Sequence, residues 1–111
     1  MIEEVILNFL NKHLPVTAYL EKRPKMPERY VLFEKTGSSK RNYLTRATFA
    51  FQSYAESMYE AAKLNEELKG AAESLIVLDE ISKVSLNSDY NFTDTTTKEY
   101  RYQAVFDIGH Y

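Results

Sequence analysis

The sequence contains no cysteine and no tryptophan, and only three of its 111 residues are glycine. Without cysteine, the chain cannot form a disulfide bond or a thiolate metal site. With glycine only at Gly37, Gly70 and Gly109, it cannot build the glycine-rich loop that cradles phosphate groups. Its two histidines, His13 and His110, stand near opposite ends of the chain and match no metal-ligand spacing. We therefore predict no metal and no cofactor.

Long apolar runs are also missing. No stretch approaches the roughly 20 apolar residues that cross a membrane. The start of the chain, Met1 to Val5, lacks the basic residues and apolar run of a signal peptide. The length and the hydrophobic content of 44% fit one domain, residues 1–111, with one core. We expect a soluble protein that is made in the cytoplasm.

No catalytic motif stands out. A nucleophilic serine needs a base beside it, and the Gly-x-Ser-x-Gly turn of hydrolases does not occur. The run Gly37-Ser38-Ser39-Lys40 ends like a phosphate-binding loop, but it lacks the upstream glycine and lies between two predicted strands. We therefore predict that the protein is not an enzyme.

Charge is divided unevenly along the chain, although the formal net charge is only -2. Residues 21–46 hold eight basic and three acidic residues, whereas residues 47–111 hold five basic and eleven acidic ones. Such an asymmetry has three explanations: a contact with nucleic acid, two complementary faces on one molecule, or charge that is only solvated.

Two segments have the periodicity of amphipathic helices. Near the N-terminus, apolar residues from Ile2 to Leu10 recur at helical spacing, and Pro15 ends the segment because the residue before a proline avoids the α conformation. A long central helix is predicted over residues 55–75, which are rich in Ala, Glu, Lys and Leu. Ser53 and Glu56 match a capping box at its start.

The remaining regular segments predict strands. Residues 30–36 and 43–53 alternate well, and they should pair as an antiparallel hairpin around a polar turn at 37–42. A short strand is predicted at 16–20, and residues 21–29 form a charged loop.

After the central helix, residues 81–92 and 100–108 are predicted strands joined by a polar tip at 93–98. The resulting order, α-β-β-β-α-β-β, predicts an α+β fold. We expect a four- to five-stranded, mainly antiparallel sheet, with the N-terminal helix and the long central helix packed on one face.

The aromatic residues of the strands suggest two roles. Alternation puts the rings of the second hairpin strand, Tyr43 included, on one face, and does the same for the last strand. Exposed, such rings would stack on nucleic-acid bases, but the pattern favours a buried sheet face. The predicted core includes Phe9, Phe49, Phe51, Leu68, Tyr102 and Phe106. Nine tyrosines exceed what one small core needs, and tyrosine is favoured at protein interfaces.

Several of these segments resemble a known family. The run Tyr30–Gly37 is similar to the strand and Thr-Gly turn of bacteriophage tail terminator and minor tail proteins, found in long-tailed phages and prophages. The strand Ala47–Ala55, the alanine-rich helix after it and the closing strand Tyr100–Phe106 also resemble that family, so the similarity covers residues 30–108. The sequence departs from it at Ser38, where many relatives have a second glycine, and around Tyr54, where they have a tryptophan.

The resemblance implies a structural role in virion assembly, without a reaction or a cofactor. Tail terminators form a ring, usually of six subunits, on the head-proximal end of the tail tube. They stop tube polymerisation and present the surface for head-tail joining. The implied partners are copies of the chain itself, the tail tube protein and the head-tail connector protein. The ring is expected to contact DNA only as the DNA passes through its channel. No membrane is involved. The subunit is expected to be a monomer in dilute solution.

Within that role, the two polar turns are the candidate contact sites. Their residues are Gly37, Ser38, Ser39, Lys40, Arg41, Thr95, Thr96 and Lys98. We expect both turns, residues 37–42 and 93–98, to be mobile in an isolated subunit, and one or both of them to become ordered only against the tube or the connector. Lys40 and Arg41 are also candidates for the channel lining. The alternatives are another head-tail connector, head-closure or minor tail protein, or a small nucleic-acid-binding module that uses residues 22–46.

Overall fold

The N-terminal apolar stripe forms helix α1, Ile2–His13, in the computed structural model, which describes all of residues 1–111. The helix buries Ile2, Ile6, Phe9 and Leu10. It ends just before Pro15, as predicted.

Five strands make one sheet in the order β1-β2-β3-β5-β4. Their bounds are β1 Ala18–Tyr19, β2 Tyr30–Arg41, β3 Leu44–Ala55, β4 Ile81–Asn91 and β5 Tyr100–His110. The short β1 runs parallel to β2, and every other pair is antiparallel. The predicted α+β class and the mainly antiparallel sheet are confirmed.

The central helix α2 begins later than predicted. It spans Met58–Glu73 and continues into a single 3₁₀ turn, Ser74–Val77. The predicted cap at Ser53 is wrong, because β3 extends to Ala55 and Ser53 pairs with Tyr102 of β5. Ser57 is the N-cap instead, and its hydroxyl accepts a hydrogen bond from the backbone N–H of Glu60 at 3.2 Å.

One face of the sheet carries the core. Apolar residues of α1 and α2 join those of β2, β3 and β5 in a single buried cluster. The predicted core residues Phe9, Phe49, Phe51, Leu68 and Phe106 all belong to it. The prediction that Tyr102 belongs to the core is wrong, because this residue is only half-buried. Its cross-strand neighbours are the polar Ser53 and Asn91, so its ring lies beyond the apolar cluster.

The other face, here called the open face, is held by polar contacts between strands. Gln52 of β3 donates to Gln103 of β5, which in turn donates to the hydroxyl of Tyr90 on β4. The loop between β1 and β2 covers one end of this face, where the Lys22 ammonium lies 5.2 Å from the centre of the Tyr54 ring. The open face is therefore covered at one end and bare toward the β2–β3 turn.

Candidate functional site

The first predicted contact site is not a loop. Residues 37–41 belong to β2 and pair with residues 44–48 of β3, so the turn contains only Asn42 and Tyr43. Both have positive φ, 51° and 68°, as a two-residue type I′ hairpin turn requires. A bulge at Thr36 shifts the register by one residue, which brings Gly37 opposite Thr48. Gly37, Ser38, Ser39, Lys40 and Arg41 are thus exposed residues of an edge strand that pair with β3, and not residues of a loop as predicted.

Tyr43 was predicted on the core face of β3, and this is also wrong. It occupies the turn and is 91% exposed, the largest value among the aromatic side chains. Tyrosine rarely adopts positive φ, since its Cβ is crowded there. A strained backbone and a fully solvated ring give no benefit to an isolated subunit, so Tyr43 is a candidate contact residue that the sequence pattern did not reveal.

The second predicted contact site is a turn, as expected. It spans residues 95–98 and is closed by an isolated bridge between Asp94 and Glu99. The Asp94 carboxylate accepts hydrogen bonds from the backbone N–H groups of Thr96 and Thr97, at 3.0 and 3.4 Å. These bonds lower the pKa of Asp94. Thr95, Thr96 and Lys98 are exposed around it, and Lys98 has a positive φ of 58°.

The two predicted sites are not brought together. Thr45 of β3 pairs with His110 of β5, whereas Ala55 pairs with Tyr100. Tyr43 therefore lies at one end of the sheet, and the turn 95–98 lies at the other. The longest dimension of the molecule is 44 Å.

The sheet leaves two different edges without a strand neighbour. On one side, β1 covers only Val31 and Leu32 of β2, so the outer edge of β2 is free from Glu34 to Arg41. The outer edge of β1 is itself closed, because the Asn11 side chain bonds both the N–H and the carbonyl of Ala18. On the other side, β4 is free along its length. The two free edges differ in sequence and in twist, since β4 has bulges at Ser82 and Asn87.

Ion pairs neutralise part of the basic segment. Arg29 binds Glu56 and Glu60, with 2.8 Å between Arg29 Nε and Glu56 Oε1 and 3.2 Å to Glu60. Lys22 pairs with Glu99, and Lys35 pairs with Glu3 of α1. Five basic residues of the segment 21–46 form no ion pair: Arg23, Lys25, Lys40, Arg41 and Arg46. Three of the five, Lys40, Arg41 and Arg46, lie in the β2–β3 hairpin, whose turn contains Tyr43.

No set of three or more His, Asp or Glu side chains lies close enough to hold a metal ion. His13 packs on Phe9, with ring centres 4.0 Å apart. Neither α1 nor α2 has the length and apolar character that a membrane-crossing helix needs.

Comparison with protein-family models and with curated proteins finds no match to this chain.

Proposed function

We propose that this protein is an assembly protein of the tail terminator kind, which closes into a ring and joins a tail tube to a head connector. The observation that carries the proposal is the separation of its two candidate contact sites. A terminator must meet the tube on one axial face and the connector on the other. The Tyr43 turn and the 95–98 turn lie at opposite ends of one rigid sheet, which is the arrangement that two axial contacts need.

The sheet edges support lateral contacts between neighbouring subunits. A ring of identical copies joined head to tail needs two different, complementary surfaces on each subunit. The free edge of β2 carries Lys40 and Arg41, which form no ion pair, whereas the free edge of β4 exposes Leu86 and Tyr90. The carboxylate of β4, Asp89, is already bound by Asn65 and Lys69. We expect the β2 side of one subunit to lie against the β4 side of the next, with side chains rather than a continuous strand ladder across the bulges.

The properties of Tyr43 suit an axial contact. A tyrosine offers a large apolar ring with few rotatable bonds, and its hydroxyl tolerates water while the partner is absent. Its place on a two-residue turn at the end of paired strands fixes the backbone that carries the ring before binding. Little ordering free energy is then lost when the partner docks.

The test is to assemble the cognate tail tube protein in the presence of this protein. Tubes capped at one end, or a ring detected by native mass spectrometry, are the expected results. Tyr43→Ala should fold normally and lose either tube capping or connector binding, according to which axial face the turn occupies. Tyr59→Ala is the matched control, because Tyr59 is 72% exposed at the start of α2, at the opposite end of the sheet from Tyr43.

Tubes that elongate freely with no bound copy of this protein would overturn the terminator role and leave a different connector role as the next candidate. If the Tyr43→Ala variant caps tubes and binds the connector like the unaltered protein, the Tyr43 turn is not a contact site.

A further inference from the structure

A basic groove crosses the bare end of the open face. Its volume is about 580 Å³, and its charged lining residues are Arg41, Arg46 and Lys83. The groove contains no acidic side chain and one apolar residue, Leu44. Arg46 pairs with Gly109 on one side and with Ser39 on the other, and Gly109 in turn pairs with Lys83. Four residues of the groove, Ser39, Arg46, Gly109 and Lys83, therefore lie in one row across the sheet.

The three cations of the groove, Arg41, Arg46 and Lys83, form no salt bridge, whereas Arg29, Arg101 and Lys69 do. The carboxylate of Asp107 lies in the next row, where it accepts hydrogen bonds from the hydroxyl of Thr48 at 2.8 Å and from the side-chain amide of Asn87 at 3.2 Å. The bond from Thr48, with smaller effects from Arg46 and Lys83, lowers the pKa of Asp107, so this carboxylate offsets part of the positive charge. The groove keeps an excess of positive charge without a direct partner for any of its three cations.

Gly109 gives the groove its depth. It stands between Arg46 and Lys83, whose strands lie two sheet spacings apart, or about 10 Å. A Cβ atom at position 109 would come within 2.7 Å of the Ser82 hydroxyl oxygen. The missing side chain leaves a floor of backbone between two cations, and Ser39, Thr45 and Ser82 also line the groove.

We propose that this groove binds the phosphate groups of a nucleic-acid backbone. Arginine, lysine, serine and threonine side chains supply most side-chain contacts to phosphate oxygens, and all four residue types are present here. A protein partner would need an apolar anchor at the centre of its interface, and the groove offers only Leu44 at its rim. The proposal does not depend on ring formation, since one subunit contains the whole groove.

The experiment measures binding of the full chain to a short labelled DNA duplex of arbitrary sequence by fluorescence anisotropy at several salt concentrations. If three phosphates are neutralised, the logarithm of the association constant should fall with the logarithm of salt concentration with a slope of about −3. The double variant Arg46→Gln/Lys83→Gln should bind about tenfold more weakly at low salt, and its slope should fall to about −1.

The matched control is Lys12→Gln/Lys63→Gln, which removes the same charge from exposed positions on α1 and α2. It should bind like the unaltered protein. If both double variants weakened DNA binding equally, or if the unaltered protein did not bind DNA at low salt, the proposal that the groove binds nucleic acid would be overturned. A second arm replaces DNA with a nucleoside triphosphate. Groove-dependent binding of the triphosphate without binding of DNA would overturn the nucleic-acid assignment in favour of a small phosphate ester.

These outcomes are separate from those of the ring test. DNA binding is measured on the dilute subunit, whereas ring closure is measured by particle mass and tube capping. A subunit that caps tubes without binding DNA would contradict only the groove proposal. A subunit that binds DNA but neither caps tubes nor closes into a ring would contradict only the terminator role.

Discussion

The ring of Tyr30 stacks on the ring of Tyr54, with centres 4.5 Å apart and planes inclined by 11°. The two residues are direct cross-strand partners on β2 and β3. The Arg101 guanidinium lies 5.7 Å from the centre of the Tyr54 ring, on the same end of the open face as Lys22. Burial, with a smaller effect from Tyr54, raises the pKa of Tyr30 to about 12. This stack joins the start of the hairpin to the start of β5 and completes the covered end of the open face.

The two hydroxyls of this stack should contribute unequally to stability. The Tyr54 hydroxyl donates to Gln52 at 3.0 Å and accepts from Arg101 at 3.2 Å, and the Tyr30 hydroxyl takes no part in that network. We expect Tyr54→Phe to lower the free energy of unfolding by about 1–2 kcal/mol. Tyr30→Phe should change it by less than about 0.5 kcal/mol. Urea denaturation of both variants measures the difference, and equal effects would contradict the network.

Two serines four residues apart should respond in opposite directions to alanine. Ser57 caps α2, so Ser57→Ala should cost about 1 kcal/mol. The Ser53 hydroxyl is fully buried without a hydrogen-bond partner, so Ser53→Ala removes an unsatisfied polar group and should stabilise the fold by about 1 kcal/mol. The same denaturation experiment compares them. A destabilised Ser53→Ala variant would show that the Ser53 hydroxyl has a hydrogen-bond partner in solution and would contradict this prediction.

The same pair shows why the start of α2 was predicted too early. Both Ser53 and Ser57 are followed three residues later by glutamate, so the local capping pattern fits either position. Pairing of Ser53 and Ala55 with β5 decides between them, and that contact joins residues that are far apart in the sequence. Alternation and periodicity predicted the order of the elements and most of the core, including Phe49, Phe51 and Phe106, because they depend only on neighbours along the chain. They failed at Tyr43 and Tyr102, which lie at the ends of the sheet.

The candidate sites were predicted less well for a related reason. The run 37–42 has the composition of a loop, yet strand pairing reduces it to the turn of Asn42 and Tyr43. The basic groove was predicted only in part, since Arg41 and Arg46 belong to the basic segment 22–46 but Lys83 and Gly109 do not. Arg46 and Lys83 become neighbours only because β5 inserts between β3 and β4 and contributes Gly109. The order of strands in a sheet cannot be predicted from the local sequence pattern. A site that depends on this order therefore cannot be predicted from the local pattern.

The strain at Tyr43 leads to a third prediction. Glycine adopts positive φ without a steric penalty, and Asn-Gly is the preferred type I′ pair. Tyr43→Gly should therefore raise the free energy of unfolding by about 0.5–1 kcal/mol, because the exposed ring contributes no packing. Tyr43→Ala keeps the Cβ and is the control, with little expected change. A destabilised glycine variant would show that the ring stabilises the isolated subunit and would weaken the case for a contact role.

The last prediction concerns acid stability and the Arg29–Glu56 pair. The side-chain hydrogen bond from Arg29 lowers the pKa of Glu56 from 4.5 to about 2. A carboxyl group whose pKa is lower in the folded state stabilises the fold fully above its unfolded pKa, and this contribution is lost as the pH falls through the folded pKa. Glu56→Gln should therefore lower the denaturation midpoint above pH 4.5, and the deficit should shrink toward pH 2.

The control for this series is Glu67→Gln, which removes a carboxylate from an exposed position of α2 that forms no ion pair. It should leave the midpoint unchanged across the same pH range. Arg29 also binds Glu60, so Glu56→Gln weakens the tie between the β1–β2 loop and the start of α2 without abolishing it. A deficit that is the same at pH 6 and near pH 2 would mean that Glu56 acts through packing, and the charge pair would then have no part in acid stability.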